Sequence, residues 1–171
     1  MPNPFLSCPR AARVAALGAT LLLLTGCGSF PGGLPLGSPV ADLDRLATAP
    51  TAVHDLPGGG RRFEFAQGQY GRQTYMLDFD ATGHLVGNEQ VLTEARFREI
   101  VPGMPGTDVR RRLGRPAHVF NVPRQRLQVW NYRFFEGDCV WFQISVSDTS
   151  GAVTEAAMGT DPACDVPNGR D

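Results

Sequence analysis

Apolar and polar residues alternate along two separated stretches of this chain, and each stretch follows a run with helical spacing. In the first, Phe63 and Phe65 alternate with Arg62 and Glu64, and Tyr75, Leu77 and Phe79 alternate with Met76 and Asp78. That period predicts strands with one apolar and one polar face. A hairpin through Gly68 to Arg72 sets Phe65 opposite Tyr75, Phe63 opposite Leu77 and, on the outer face, Arg62 opposite Asp78. The turn Asp80-Ala81-Thr82-Gly83 leads to a third strand at about Leu85 to Leu92. Upstream, Ser38 caps a helix with Pro39 at its first position and Leu43, Leu46 and Ala47 on one face.

In the second stretch, Thr93 caps a helix from Glu94 to Val101, with Phe97, Ile100 and Val101 on one face. A helix after Gly103, with Asp108 in its first turn, buries Val109 and Leu113 and ends at Gly114. Strands follow at Gln128 to Phe135 and Cys139 to Asp148, joined by Glu136-Gly137-Asp138. Their register places Tyr132 on Phe142, Trp130 on Ile144 and Phe134 on Val140, all inward. It sends Arg133, Phe135, Cys139 and Trp141 to the other face, where these aromatic side chains need a cover: the C-terminal tail, the other module or a partner. Arg133, Phe135 and Trp141 are therefore the candidate interaction surface.

The two stretches are copies. Gly103 to Pro116, GMPGTDVRRRLGRP, is echoed 66 residues earlier by GSPVADLDRLATAP at Gly37 to Pro50, and WNY at 130–132 and FQISVSDTSG at 142–151 answer FEF at 63–65 and YMLDFDATG at 75–83. The expected fold is α+β, two tandem small modules, each with short helices and a three-stranded antiparallel sheet. The first, truncated copy spans 37–92, the second 93–160, and a tail covers 161–171.

The N-terminus carries Arg10 and Arg13, then an apolar run from Val14 to Leu24 that is too short to span a bilayer, which takes about 20 residues in a helix. It ends in Leu24-Thr25-Gly26-Cys27, which resembles the bacterial lipobox. The resemblance implies a signal peptide over 1–26, diacylglyceryl attachment to Cys27 and acylation of the new amino terminus. Several acyl chains hold a protein on a membrane. The absence of aspartate after Cys27 implies outer-membrane sorting. Residues 27–36, rich in glycine and proline, read as a lipid tether.

With Cys27 acylated and Cys8 removed, Cys139 and Cys164 remain as a pair in an oxidising periplasm, where a bridge is expected. Two free thiols or a metal site are the alternatives, the latter without a partner at ligand spacing. Sixteen basic against seventeen acidic residues exclude a global positive field for nucleic acid. His54, His84 and His118 belong to no metal motif, and no nucleophile motif is present, so the chain reads as non-enzymatic, with no cofactor and no small-molecule substrate. Arg110, Arg111 and Arg112 form the solvated face of a helix or touch lipid phosphates.

LTEARFREIVPGM at 92–104, VRRRLGRP at 109–116, WNY at 130–132 and DTSGAV at 148–153 together resemble the SmpA/OmlA family, the BamE-type small outer-membrane lipoproteins. The likeness implies a helix-helix-strand-strand-strand module akin to the β-lactamase-inhibitor-protein fold, in a lipoprotein that supports β-barrel assembly. Pro105 stands where the family has threonine, and 119–128 does not match its loop before the tryptophan, so no binding residues carry over. The expected partners are membrane lipid through acylated Cys27 and a protein of the outer membrane or periplasm. The alternative is a binder or inhibitor of a soluble periplasmic protein that shares only the fold.

Overall fold

The computed structural model describes residues 30–136 and 138–164. Its strands form two antiparallel meanders of four, each a consecutive run in the chain. The first holds β1 (Ala52–Asp55), β2 (Arg61–Ala66), β3 (Thr74–Phe79) and β4 (Leu85–Gln90), and the second β5 (His118–Val122), β6 (Leu127–Arg133), β7 (Val140–Ser147) and β8 (Val153–Thr160). Between them lie two helices, α1 (Glu94–Phe97) and α2 (Gly106–Leu113). The fold is thus α+β in two modules, but each sheet has four strands where three were expected. The strand added to each is β1 or β5, an edge strand with no fully buried residue, so burial imposes no clear alternation on its sequence.

Three further expectations change. The helix after Thr93 stops at Phe97 instead of Val101, although Thr93 does cap it by accepting from the Arg96 N–H. The helix of the first copy is a 3-10 run, Val40–Arg45. From Phe30 onward the expected tether is folded: Pro31 is buried, Leu34 joins the first core, and the Asn88 side chain donates to both their carbonyls at 3.1 and 3.0 Å. The Phe30 ring also meets Tyr75 edge-on, so the first module begins before Gly37.

The two sheets match in register. Phe63↔Leu77 and Phe65↔Tyr75 in the first correspond to Trp130↔Ile144 and Tyr132↔Phe142 in the second. Each has a bulge at the same place, between Asp78 and Phe79 and between Ser145 and Val146. Outside the sheets the correspondence continues bond by bond. The Gly37 N–H donates to the Leu85 carbonyl at 2.7 Å and that of Gly103 to Val153 at 2.8 Å, while Val40 and Gly106 each donate 2.8 Å to the glycine carbonyl of the following turn, Gly83 or Gly151. Gly37 and Gly103 have φ of +86° and +88°, which glycine adopts without the Cβ penalty.

The modules are layered head to tail. One face of the first sheet buries Phe63, Phe65, Leu77, Phe79 and Leu85 under the N-terminal turns. Its other face, expected to meet solvent, is covered by the second module: Met76 belongs to the core formed by Val109, Leu113, Tyr132 and Ile144. Glu64 and Thr74 on that face are 2% and 1% exposed. The order of layers is N-terminal turns, first sheet, α1 and α2, second sheet.

Candidate functional site

Glu64 is the buried charge at the seam, and its carboxylate is fully engaged. Oε1 accepts from the Thr51 hydroxyl and the Arg115 backbone N–H, both at 2.9 Å, and Oε2 lies 3.4 Å from His54 Nε2. These bonds offset the desolvation that an unpaired buried carboxylate would suffer. Gly114 makes the approach possible, because a Cβ there would stand 2.9 Å from both Glu64 Cδ and Thr74 Cγ2. Nearby, the Tyr132 hydroxyl donates to the Gly114 carbonyl at 3.0 Å, and complete burial pushes its pKa up.

Arg62 holds the seam at a second point. Its Nε and Nη2 meet the two Asp78 oxygens at 2.6 and 2.7 Å, while Nη1 donates to the Arg111 carbonyl of α2 at 3.0 Å. The Asp78 hydrogen bonds raise its pKa, against the effect of partial burial. The sequence register already sets Arg62 opposite Asp78, and that pairing is present.

Of the candidate interaction residues, Arg133 and Trp141 are 9% and 3% exposed and Phe135 is 67% exposed. Arg133 and Trp141 do face each other across β6 and β7, and the Arg133 guanidinium lies 5.3 Å from the indole centroid. Asp161 chelates Arg133 through Nε and Nη2, raising its pKa, and the Gln69 carbonyl of the β2–β3 hairpin accepts from Nη1. Phe120 of β5 approaches Trp141 edge-on at 6.2 Å. The cover is therefore shared between the first module's hairpin, β5 and the tail. Only Phe135 of the three is open to a partner.

Cys139 and Cys164 form the expected disulfide, with Cα atoms 5.4 Å apart. The backbone reinforces it, since the Asp161 N–H donates to the Cys139 carbonyl and the Cys164 N–H to the Asp161 carbonyl, both at 2.9 Å. The strand before the bridge runs beside Trp141, with Gly159 as its register partner, so the chain crosses toward Arg133 only at Asp161. Cys27, the signal peptide and residues 165–171 lie outside the described residues.

The three arginines of α2 separate. Arg111 pairs with Asp108 and Arg112 with Glu99, while Arg110 lies over the Trp130 ring at 4.4 Å. His54 contacts Glu64, and the His84 ring meets the Thr82 hydroxyl at 2.9 Å. No group of His, Cys, Asp and Glu suited to a metal occurs among the described residues. Glu64, Gln69 and Asp161 were not singled out by sequence reasoning. Alternation set Glu64 on the face opposite Phe63 and Phe65, which gave no sign that the second module covers it. No protein-family model, curated protein or solved structure matches this chain.

Proposed function

We propose that this protein is a lipid-anchored, non-enzymatic binding module at the periplasmic face of the outer membrane, acting in the assembly of β-barrel proteins or in envelope maintenance. The observation that carries the reading is the closeness of the lipobox to the fold. Phe30 and Pro31 already pack on the first sheet, so only Gly28 and Ser29 separate them from Cys27. Three residue steps of extended chain reach about 10 Å. An acylated Cys27 would hold the N-terminal end of the first module against the lipid and point the second module away from it.

The second module also supports kinship with the BamE-type lipoproteins. Its order of α1, α2 and the meander β6–β8 follows the helix-helix-strand-strand-strand plan of that family, with β5 added before it.

Two measurements test the reading. Cys27→Ser should give an unprocessed or soluble protein, whereas a variant that still fractionates with the outer membrane removes the anchor. Pull-down of the tagged protein from detergent extracts should recover barrel-assembly subunits. Recovery of a stoichiometric soluble periplasmic enzyme would instead favour an inhibitor-like binder.

A further inference from the structure

The two modules meet at an open pocket of about 410 Å³ with walls from both copies. Thr51 and hairpin residues 67–69 line one side, and Arg110 of α2 and residues 115–119 the other. The residues that line it include two arginines and no acidic residue. Among the described residues the Arg110 and Arg115 side chains have neither an acidic partner nor a hydrogen bond, although Arg111 and Arg112 on the same helix are both neutralised. Arg110 does contact Trp130, but that contact consumes none of its five N–H donors. The Gln69 side-chain amide is likewise without a hydrogen bond, and Nδ1 of His118 is buried and has no partner. Glu64, which Thr51 touches, already accepts from Thr51 and Arg115 N–H and lies beside His54.

The duplication supplies an internal control. At the 66-residue offset, the first copy has Asp44, Ala49 and Ala52 where the second has Arg110, Arg115 and His118. The same register and turns form without a basic group at any of these positions, so the module fold does not call for them. Two arginines without a salt-bridge partner at one pocket, against the single Glu64 carboxylate behind Thr51, leave an excess of positive charge that an anionic ligand would offset, and guanidinium is suited to carboxylate and phosphate oxygens.

We propose that this pocket binds a small dianion, either a phosphate monoester or a dicarboxylate, between the Arg110 and Arg115 guanidiniums, with the Gln69 amide and His118 ring as further polar contacts. Because its walls belong to both copies, the ligand would tie the modules together. This site does not depend on the lipid anchor or on a protein partner.

Calorimetric titration of the purified full-length protein with glucose 6-phosphate and with succinate, at matched ionic strength, is the test. Saturable one-to-one binding of either compound supports the site, and the preferred compound tells ester from dicarboxylate. Arg110→Gln and Arg115→Gln should each weaken that binding at least tenfold, while Arg112→Gln, which removes the same charge outside the pocket, changes it less than twofold. All three should stay folded, with Arg110→Gln and Arg112→Gln melting slightly below the parent because they give up the contacts with Trp130 and Glu99, and His118→Ala serves as a further variant should one of them unfold. Absence of saturable binding to both compounds overturns the proposal. So does an equal loss in Arg112→Gln, which would mark general charge attraction.

Discussion

At Asp80 the first copy closes its turn with a carboxylate, and at the matched position the second copy uses Ser147. Asp80 Oδ1 accepts from the Thr82 N–H, the Thr82 hydroxyl and the His84 N–H at 2.9, 2.7 and 3.0 Å, and these bonds, that of His84 foremost, lower its pKa. Ser147 Oγ accepts from the Thr149 and Ser150 N–H groups at 3.2 Å without a charge. A carboxyl whose folded pKa is depressed adds stability above its unfolded pKa and loses it as pH falls through the folded one. The amide resonances of Thr82 and His84 should thus move in acid with a midpoint below the ordinary aspartate range; an ordinary midpoint would contradict this account. Glu64 offers a larger effect. Glu64→Ala removes the side-chain acceptor of the Arg115 N–H and leaves the Thr51 hydroxyl only the backbone carbonyl of residue 64, and should destabilise by roughly 2 kcal/mol, whereas Glu64→Gln keeps one acceptor oxygen and should lose about 1 kcal/mol. Urea unfolding measures both, and equal effects would show that the Oε1 bonds do not matter. The burial of Glu64 was hidden in the sequence, because alternation tells which side chains share a face and not what covers that face.

At the scale of elements, the legible parts were those with strong alternation. The β2–β3 and β6–β7 registers follow from Phe63, Phe65, Leu77, Trp130, Tyr132 and Ile144, whose burial forces each pairing. Strands β1 and β5 escaped because their residues are only half-buried or exposed. The Glu94 helix ends early since Arg98 to Met104 turn toward the second sheet, where the Gly103 N–H and Val153 carbonyl meet. The bridge of Cys139 and Cys164 closes a separation of 25 residues around β7 and β8. Reduction should destabilise the fold by about 3 kcal/mol on the chain-entropy account. Maleimide should find no reactive thiol in the unfolded, unreduced, processed protein, and two labelled thiols would exclude the bridge.

For the molecule as a whole, tandem copies invite the picture of two beads on a string, yet Met76, Val91 and Leu92 lie in the same core as Val109, Tyr132 and Ile144. Unfolding should therefore be a single cooperative transition, with fluorescence of Trp130 and Trp141 coinciding with far-ultraviolet circular dichroism. Two separated transitions would show that the modules melt independently. The duplication itself was legible from glycines, prolines and aromatic spacing; the stacking was not, because the contacts between copies fall on positions that differ between them. Gln143 of the second sheet stands where the first has Met76, and Asn131 where it has Glu64. Instead of meeting a third copy, Gln143 donates to Asn131 at 2.9 Å, with the Arg133 and Asp161 pair beside them. A head-to-tail arrangement has no rotational closure of its own and could extend as a fibre. This polar pairing replaces the apolar Met76 and the Glu64 through which the first sheet meets the module that follows it, so the second sheet does not repeat the surface on which a further unit would stack.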